Sequence, residues 1–333
     1  MTGAKQKNPS GQKSKGSQKG HGSHTPNAPT AGHRTSRAVR ILLWVLAVVF
    51  MLGSATYQRM TGPTRPVRGS VVVSGESISY KLLRSDWSYR TNEATHLYFR
   101  DPFRGKGRAD LAGEIHYRRF RSDEPFTSVP LVNEQLLGEP RIVATLPPQP
   151  SAGKLEYFVT LTHENEEHRL PESGEVVVIR YKDHVPLWIL VPHVAMMFFA
   201  VLFGMRAGLG ALFGPTGMKR QAWVALVGMT IGGMILGPIV QKHAFGAYWT
   251  GFPFGGDWTD NKTLVMWLVW VVAAIAIGRG PRPERAIARV AVAIAALVMT
   301  SVYLIPHSTR GSELDYSKIE QGVRPEDAIQ TGR

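Results

Sequence analysis

Residues 186–213 read PLWILVPHVAMMFFAVLFGMRAGLGALF, and this stretch decides what kind of fold the chain can adopt. It contains no acidic residue, and its apolar side chains continue for longer than a helix needs to cross the hydrocarbon core, which takes about 20 residues. A run of this length exceeds the helices and strands that form the core of soluble domains. The sequence therefore predicts a membrane-spanning helix here.

Four further stretches of the 333-residue chain share this character. The predicted spans are Ile41–Tyr57, Pro186–Phe213, Ala222–Val240, Leu264–Ile277 and Ala286–Ile305. We expect the first helix to occupy residues 38–60 and the other four to form a membrane domain over residues 185–305. Glycines at four-residue spacing, such as Gly204 with Gly208, predict that these helices pack closely.

The basic residues predict the orientation of the spans, because Lys and Arg accumulate in cytoplasmic loops. Residues 1–37 are basic and poor in apolar side chains, so we expect a disordered cytoplasmic tail, and its lack of aromatic residues disfavours nucleic-acid binding. Basic loops also follow the second and fourth spans, the former holding Arg206, Lys219 and Arg220. The N-terminus is then inside and the C-terminus outside. An alternative is cleavage of the first span as a signal peptide near Gly53-Ser54-Ala55.

Residues 63–183 change to a period-two pattern with turn residues between short runs, which predicts a β domain outside the membrane. The predicted strands are Ser70–Val73, Ser77–Leu83, Thr95–Phe99, Gly113–Arg119, Arg141–Leu146, Leu155–Leu161 and Glu175–Tyr181. Seven short strands are typical of an immunoglobulin-like sandwich, in which Tyr157 would take the position of a tyrosine-corner residue. Arg118, Arg119 and Arg121 form a basic cluster for an envelope protein partner or lipid headgroups, or else a solvated strand edge.

Cysteine is absent from the chain, which excludes disulfides and thiolate metal sites. The composition favours a protein of the bacterial inner membrane over a disulfide-rich ectodomain. The fold class predicted is therefore α+β, with five transmembrane helices and an extracytoplasmic β-sandwich between the first two.

The connection HAFGAYWTGFPFGGDWTDNKT, residues 243–263, is richer in aromatic residues and glycine than a simple helical hairpin requires. It predicts a shaped surface on the outer face, next to a polar C-terminal tail at residues 306–333 that ends in disorder. Its candidate ligand-binding residues, with one from the tail, are Tyr248, Trp249, Phe252, Asp257, Asp260 and Glu313. The carboxylates alternatively serve as metal ligands with Asp315, or Asp260 caps the fourth helix.

Three histidines fall at the outer ends of predicted spans, namely His193, His243 and His307. An ionisable residue inside a membrane is costly unless it faces a partner, so His193 is a functional candidate. Together the three histidines would supply nitrogen ligands to a metal or a haem, whereas a neutral histidine bonded between helices is the simpler alternative.

The 243–263 loop resembles the tryptophan-rich (WWD-type) loop of the haem-handling proteins of cytochrome c maturation. The matching features are Phe245-Gly246, Trp249, Asp257 and Thr263, although Phe245 replaces the first tryptophan and residues 253–256 intervene before Asp257. This resemblance covers about twenty residues and implies haem held by nearby histidines on the outer face.

No Walker, Rossmann, HExxH or GxSxG motif is present, so the sequence indicates no catalytic residue. The leading hypothesis is a binding or assembly factor acting on its extracytoplasmic face, with haem or a metal as ligand. The alternatives are an enzyme or transporter for a small or lipid-linked substrate, which would use Asp257, Asp260 and Glu313, and a structural subunit of an envelope complex.

Overall fold

The computed structural model describes residues 36–88, 93–214, 216–278, 285–306 and 310–331. Five helical stretches within them are long and apolar enough to cross a membrane: Arg37–Thr61, Leu187–Phe213, Met218–Phe245, Trp258–Ile277 and Ala286–Leu304. The prediction of five such helices is confirmed. All but the last two residues of the expected disordered tail at residues 1–37 lie outside the described residues. His307 also lies outside them.

The helices begin and end where local chemistry requires it. We number them α1 (Arg37–Thr61), α2 (Leu187–Phe213), α3 (Met218–Met229), α4 (Gly237–Phe245), α5 (Trp258–Ile277), α6 (Ala286–Leu304) and the short α7 (Tyr316–Glu320). Ser36 caps α1 by accepting a hydrogen bond from the Val39 amide, and Asp257 caps α5. A π-helical segment, Thr230–Leu236, joins α3 to α4, so these three form the third span.

Small residues bring the spans together. A Cβ atom at Gly208 would lie 2.3 Å from the Cβ of Ala296 in α6, and one at Gly204 would lie 2.6 Å from the Met299 side chain. Trp270 of α5 is fully buried in the same core and donates to the sulfur of Met299. Close approach of α2 and α6 therefore depends on glycine.

The structure corrects the expected position of Arg206. The sequence analysis assigned this residue to the basic loop after the second span, but it lies inside α2 and is only 1% exposed. Lys219 and Arg220 do lie at the start of α3. Arg289 holds the end of α2 instead, because its Nε donates to the Ala211 carbonyl at 2.8 Å.

The β region follows α1 and precedes α2 in the chain. Its strands are β1 (Val67–Val73), β2 (Glu76–Leu82), β3 (Ser85–Trp87), β4 (Thr95–Arg100), β5 (Ala112–Arg119), β6 (Thr127–Pro130), β7 (Val132–Leu136), β8 (Glu139–Leu146), β9 (Lys154–His163), β10 (Glu166–Leu170) and β11 (Val177–Lys182). They form a β1–β2 hairpin, a sheet in the order β3-β11-β9-β5-β6 with β10 beside β9, and a β4-β8-β7 sheet. Alternating side chains from these sheets fill one hydrophobic core.

Each of the seven predicted strand segments overlaps an observed strand, whereas β3, β6, β7 and β10 were not anticipated. These four are short or largely exposed, so they carry little hydrophobic alternation. Tyr157 is buried, but its hydroxyl donates to the carbonyl of Leu83, 74 residues earlier, at 2.7 Å. A tyrosine corner bonds within a few residues of its own turn, so Tyr157 here links two distant segments instead.

The C-terminal segment is ordered where the sequence analysis expected disorder. Strand β12 (Ser312–Leu314) pairs with β13 (Ile329–Thr331), and α7 lies between them. The Leu314 amide donates to the Ala152 carbonyl in the β region, and the Gly256 amide donates to the Thr331 hydroxyl. The segment thus contacts both the β region and the 243–263 loop.

Candidate functional site

Asp257 is the first residue of a polar cluster between the membrane helices, the C-terminal segment and the β region. Its Oδ1 caps α5 by accepting from the Thr259 amide at 2.7 Å, and its Oδ2 accepts from the Ser312 amide at 2.9 Å. Only 3% of Asp257 is exposed. One carboxylate therefore fixes the start of a membrane helix and the C-terminal strand at the same point.

Asp260 lies one helical turn further on and faces the same cluster. Its Oδ2 accepts from the Thr250 amide at 2.6 Å and from the Gln241 side chain at 3.2 Å. The Thr250 hydroxyl lies 3.1 Å from Asp257 Oδ2 and 3.4 Å from Asp260 Oδ2, so the two carboxylates meet there. The structure thus places these two predicted site residues side by side. Asp257 is the cap of α5, whereas the sequence analysis gave Asp260 as the candidate cap.

A cavity of about 170 Å³ opens beside these carboxylates, and we call it the junction cavity. Its polar lining includes Arg180, His193, Gln241, Asp257, Asp260 and Ser312. Trp249, Met197 and two glycines of the third span, Gly233 and Gly237, supply the remaining wall with other apolar residues. The cavity therefore has one wall from the β region and several walls from the membrane helices.

His193 reaches this cavity from α2 and is held in one orientation. Its Nδ1 lies 2.9 Å from the Gly232 carbonyl, which can only accept, so Nδ1 carries the proton. Neutral imidazole then has its lone pair on Nε2. The same Gly232 carbonyl accepts a hydrogen bond from the amide of Gly237, at the end of the π-helical segment. Such segments are frequent at functional sites.

Charges of the β region continue the cluster away from the membrane helices. Arg180 is 8% exposed. A Cβ atom at Gly311 would lie 3.3 Å from both terminal nitrogens of Arg180 and 3.5 Å from Asp257 Oδ2, so the two side chains approach the same point. Burial lowers the pKa of Arg180, and the carboxylates of Asp257 and Glu313 oppose that shift. Arg180 is therefore the positive charge that Asp257 faces.

Glu313 was grouped with the two aspartates in the sequence analysis, but it pairs with other residues. Its carboxylate accepts from Lys154 Nζ at 2.8 Å and from Arg121 at 3.0 Å. Burial and the nearby Arg180 lower the pKa of Lys154 to about 8, although Glu313 favours the charged form. Glu313 thus anchors the C-terminal segment to the β region and does not line the junction cavity.

The predicted basic cluster is also occupied by intramolecular ion pairs. Arg118 contacts Glu156 at 2.8 Å, and Arg119 contacts both Glu124 and Glu320. An open groove of about 680 Å³ is bordered by Arg119, Glu124 and Glu320, and also by Lys154, Glu313 and Tyr316. The cluster therefore holds the C-terminal segment in place.

The aromatic residues of the 243–263 loop do not form one surface facing the cavity. Tyr248 is 59%, Phe252 68% and Phe254 82% exposed. Trp249 alone among the three proposed aromatic ligand residues lines the junction cavity, and its Nε1 donates to the Phe252 carbonyl at 3.0 Å. Exposed aromatic residues beside the ends of spans are typical of membrane–water interfaces.

The histidines are separated in the described structure. His193 lines the junction cavity, His243 lies on the exposed side of α4, and His307 is outside the described residues. Within the described ranges, no group of three His, Asp or Glu side chains is placed to hold a metal ion.

Gln241, Thr250, Ser312 and Arg180 are site residues that the sequence analysis missed. They come from four separate segments and have no motif spacing, so only the fold brings them together. The one available signal was the position of Gln241, a polar residue at the outer end of a span.

Comparison with protein-family models, curated proteins and solved structures found no match. The resemblance of the loop to haem-handling proteins therefore stays a prediction, and the site is interpreted from its own geometry.

Proposed function

We propose that this protein binds a small positively charged ligand in the junction cavity, on the outer face of a bacterial inner membrane. The main observation that supports this proposal is the burial of the Asp260 carboxylate among neutral groups. Asp260 is 5% exposed, and its hydrogen-bond donors among the described residues are neutral groups of Thr250, Gly251 and Gln241. A buried carboxylate needs a proton or a cation to balance its charge.

The neighbouring charges support this assignment. Asp257 faces Arg180, and Glu313 pairs with Lys154 and Arg121, so these carboxylates have cationic neighbours within the protein. The hydroxyl groups of Ser312 and Thr250 add oxygen atoms of the kind that hard cations prefer. His193 in its neutral form donates from Nδ1 to Gly232, so it adds a nitrogen lone pair and no positive charge to the cavity.

The orientation belongs to the same proposal. Basic residues near the α2–α3 connection support a cytoplasmic location for that end, and α2 begins at the β region, which would then lie outside with the C-terminal segment. We take the β region to be an immunoglobulin-like sandwich, since its sheets, which are antiparallel except for the β3–β11 pair, enclose a common core. Its exposed strands are the surface that an envelope protein partner would contact.

A haem is less well supported than a small cation. The junction cavity is about 170 Å³, whereas sites for drug-sized ligands span roughly 300–1,000 Å³. Of the two proposed histidine ligands in the described part of the chain, His193 lines the cavity and His243 does not. Absence of a Soret band after haem addition to the purified protein would remove this form of the hypothesis.

The test is thermal unfolding of the purified full-length protein with and without Na⁺, K⁺, Mg²⁺ or Ca²⁺. We expect at least one of these cations to raise the melting temperature of the wild type and to leave Asp260→Asn unchanged. Asp315→Asn is the matched control, because Asp315 caps an exposed short helix and is far more accessible. An equal response from wild type and Asp260→Asn would refute cation binding at this site.

Transport is a second candidate function, favoured by the π-helical segment that borders the cavity inside the third span. Such a segment can exchange between hydrogen-bond patterns, which is one way to open a membrane site. Cation or proton flux into proteoliposomes, abolished in Asp260→Asn, would distinguish transport from binding alone.

A further inference from the structure

Arg206 is a buried cation whose bonding capacity is unused. It lies in α2, is 1% exposed, and its Nε and Nη1 have no hydrogen-bond partner among the residues that the structure describes. Its guanidinium carbon lies 5.5 Å from the centre of the Trp44 ring, which gives only weak compensation. Buried polar groups are nearly always paired, so two guanidinium nitrogens without an acceptor on one charged side chain call for a ligand.

The first turn of α3 meets this guanidinium. Arg206 Nη1, Met218 Cβ and Gln221 Oε1 lie 3.0, 3.6 and 3.8 Å from the point where a Gly210 Cβ would be. Met218 begins α3, and its N-cap, Gly217, has no side chain to bond the first amides. The N-terminus of a helix carries partial positive charge and favours anions.

Gln221 adds a second unsatisfied group at the same place. It is 8% exposed, and its Oε1 has no hydrogen-bond partner in the structure. The two ends of an amide are assigned from their surroundings, and rotating this one by half a turn would present N–H groups to an anion instead. Arg206, Gln221 and the start of α3 therefore provide donors from two helices at one point.

We propose that this point binds the phosphate group of an anionic ligand. It is separate from the junction cavity, because Arg206 lies 13 residues beyond His193 along α2, or roughly 20 Å. Seven residues separate it from the end of α2, which places it about 10 Å from that end, near the depth of lipid headgroups. Phosphate accepts several charge-assisted hydrogen bonds at once, which suits a guanidinium and a helix N-terminus.

A groove on the outside of α2 and α3, which Arg206 itself does not line, is the apolar surface onto which such a ligand would extend. It has a volume of about 490 Å³ and is lined by Met196, Phe199, Trp223, Val224, Val227 and Gly228, with Arg220 as its charged residue. An acyl chain fits an apolar lining of this kind. The phosphate therefore belongs either to a membrane lipid or to a free phosphate ion, and the experiment separates the two.

The experiment measures the melting temperature of the delipidated full-length protein in detergent, with phosphatidylglycerol, phosphatidylcholine or inorganic phosphate added. We expect phosphatidylglycerol to stabilise the wild type and to bind Arg206→Met at least about tenfold more weakly, because charge-assisted hydrogen bonds are lost. Without any phosphate, Arg206→Met should melt higher than the wild type, since an unpaired buried charge is removed.

Two further variants keep the test decisive. Arg285→Gln removes an exposed charge just before α6, outside this groove, and should retain phosphatidylglycerol binding. Loss of binding in Arg285→Gln with retention in Arg206→Met would show surface attraction only and would overturn the proposal. Gln221→Leu should weaken binding while leaving Arg206 in place, so it replaces Arg206→Met if that variant does not fold. Stabilisation by inorganic phosphate equal to that by phosphatidylglycerol identifies a free ion as ligand. No stabilisation of the wild type by either one overturns the proposal.

Discussion

Replacing Asp257 should release the C-terminal segment and destabilise α5 together, because one carboxylate serves both. Asp257→Ala removes the cap on the Thr259 amide, which costs about 1 kcal/mol. It also removes the charge-assisted bond from the Ser312 amide, about 2 kcal/mol. Arg180 then stays buried without its facing carboxylate, and losing one member of such a pair costs roughly 3–5 kcal/mol in total. These terms overlap, so we expect a loss of about 4 kcal/mol.

Asp315→Ala is the matched control for this prediction. Asp315 also caps a helix, accepting from the amides of Ser317 and Lys318, but no buried cation faces it. Its replacement should cost about 1 kcal/mol or less. The comparison isolates the part of the Asp257 effect that comes from Ser312 and Arg180.

Intrinsic tryptophan fluorescence during thermal or denaturant unfolding reports both variants, since the chain has 8 Trp. Limited proteolysis should cut residues 310–331 faster in Asp257→Ala than in the wild type. The double variant Asp257→Ala with Arg180→Met should recover part of the lost stability, because it removes a buried charge that has lost its facing carboxylate. If Asp257→Ala loses no more stability than Asp315→Ala, the role assigned to Asp257 is wrong.

Three further predictions concern other parts of the molecule. Burial lowers the pKa of Lys154 from its ordinary value of 10.5 to about 8. Between these two pH values, the folded protein therefore binds fewer protons than the unfolded chain. Wild-type stability should therefore rise over that window relative to Lys154→Met, and a parallel pH dependence of the two melting curves would contradict this. Gly208→Val should lower the free energy of unfolding by roughly 1–3 kcal/mol, because the new side chain clashes with Ala296. Its control is Gly53→Ala, whose Cβ meets nothing within 4 Å and which should raise the free energy of unfolding by up to about 1 kcal/mol. Deletion of residues 310–333 should increase protease cleavage of the β region and lower its melting temperature, and an unchanged digestion pattern would show that the segment does not support it.

The sequence predicted the apolar elements well because their signals are local. Each membrane helix is a continuous apolar run, and each anticipated strand has alternating side chains. Strand β7, with every residue exposed, lacks that alternation and could not be found in this way. Tyr157 was expected to bond within its turn, but its partner Leu83 is distant in sequence, which no local pattern encodes.

The candidate site was predictable only in its carboxylates. Asp257 and Asp260 are close in sequence, so a single helix start brings them together. Their partners Thr250, Gln241 and Ser312 meet them only because the loop, the third span and the C-terminal strand converge. Arg206 was misplaced for a related reason: an arginine near the end of an apolar run resembles a loop residue until packing shows that neighbouring helices enclose it.

The π-helical segment in the third span has a consequence for tolerance to length changes. A π-helix holds one residue more than the α-helical pattern, so each of its backbone hydrogen bonds joins residues five apart and not four. Deleting Ile231 should let the segment close into an α-helix while α3 and α4 keep their orientations. The same deletion in α2 or α5 would rotate every later side chain by about 100°. Two variants of equal length should therefore differ sharply in folding, and the shortened third span would lose the Gly232 geometry that holds His193.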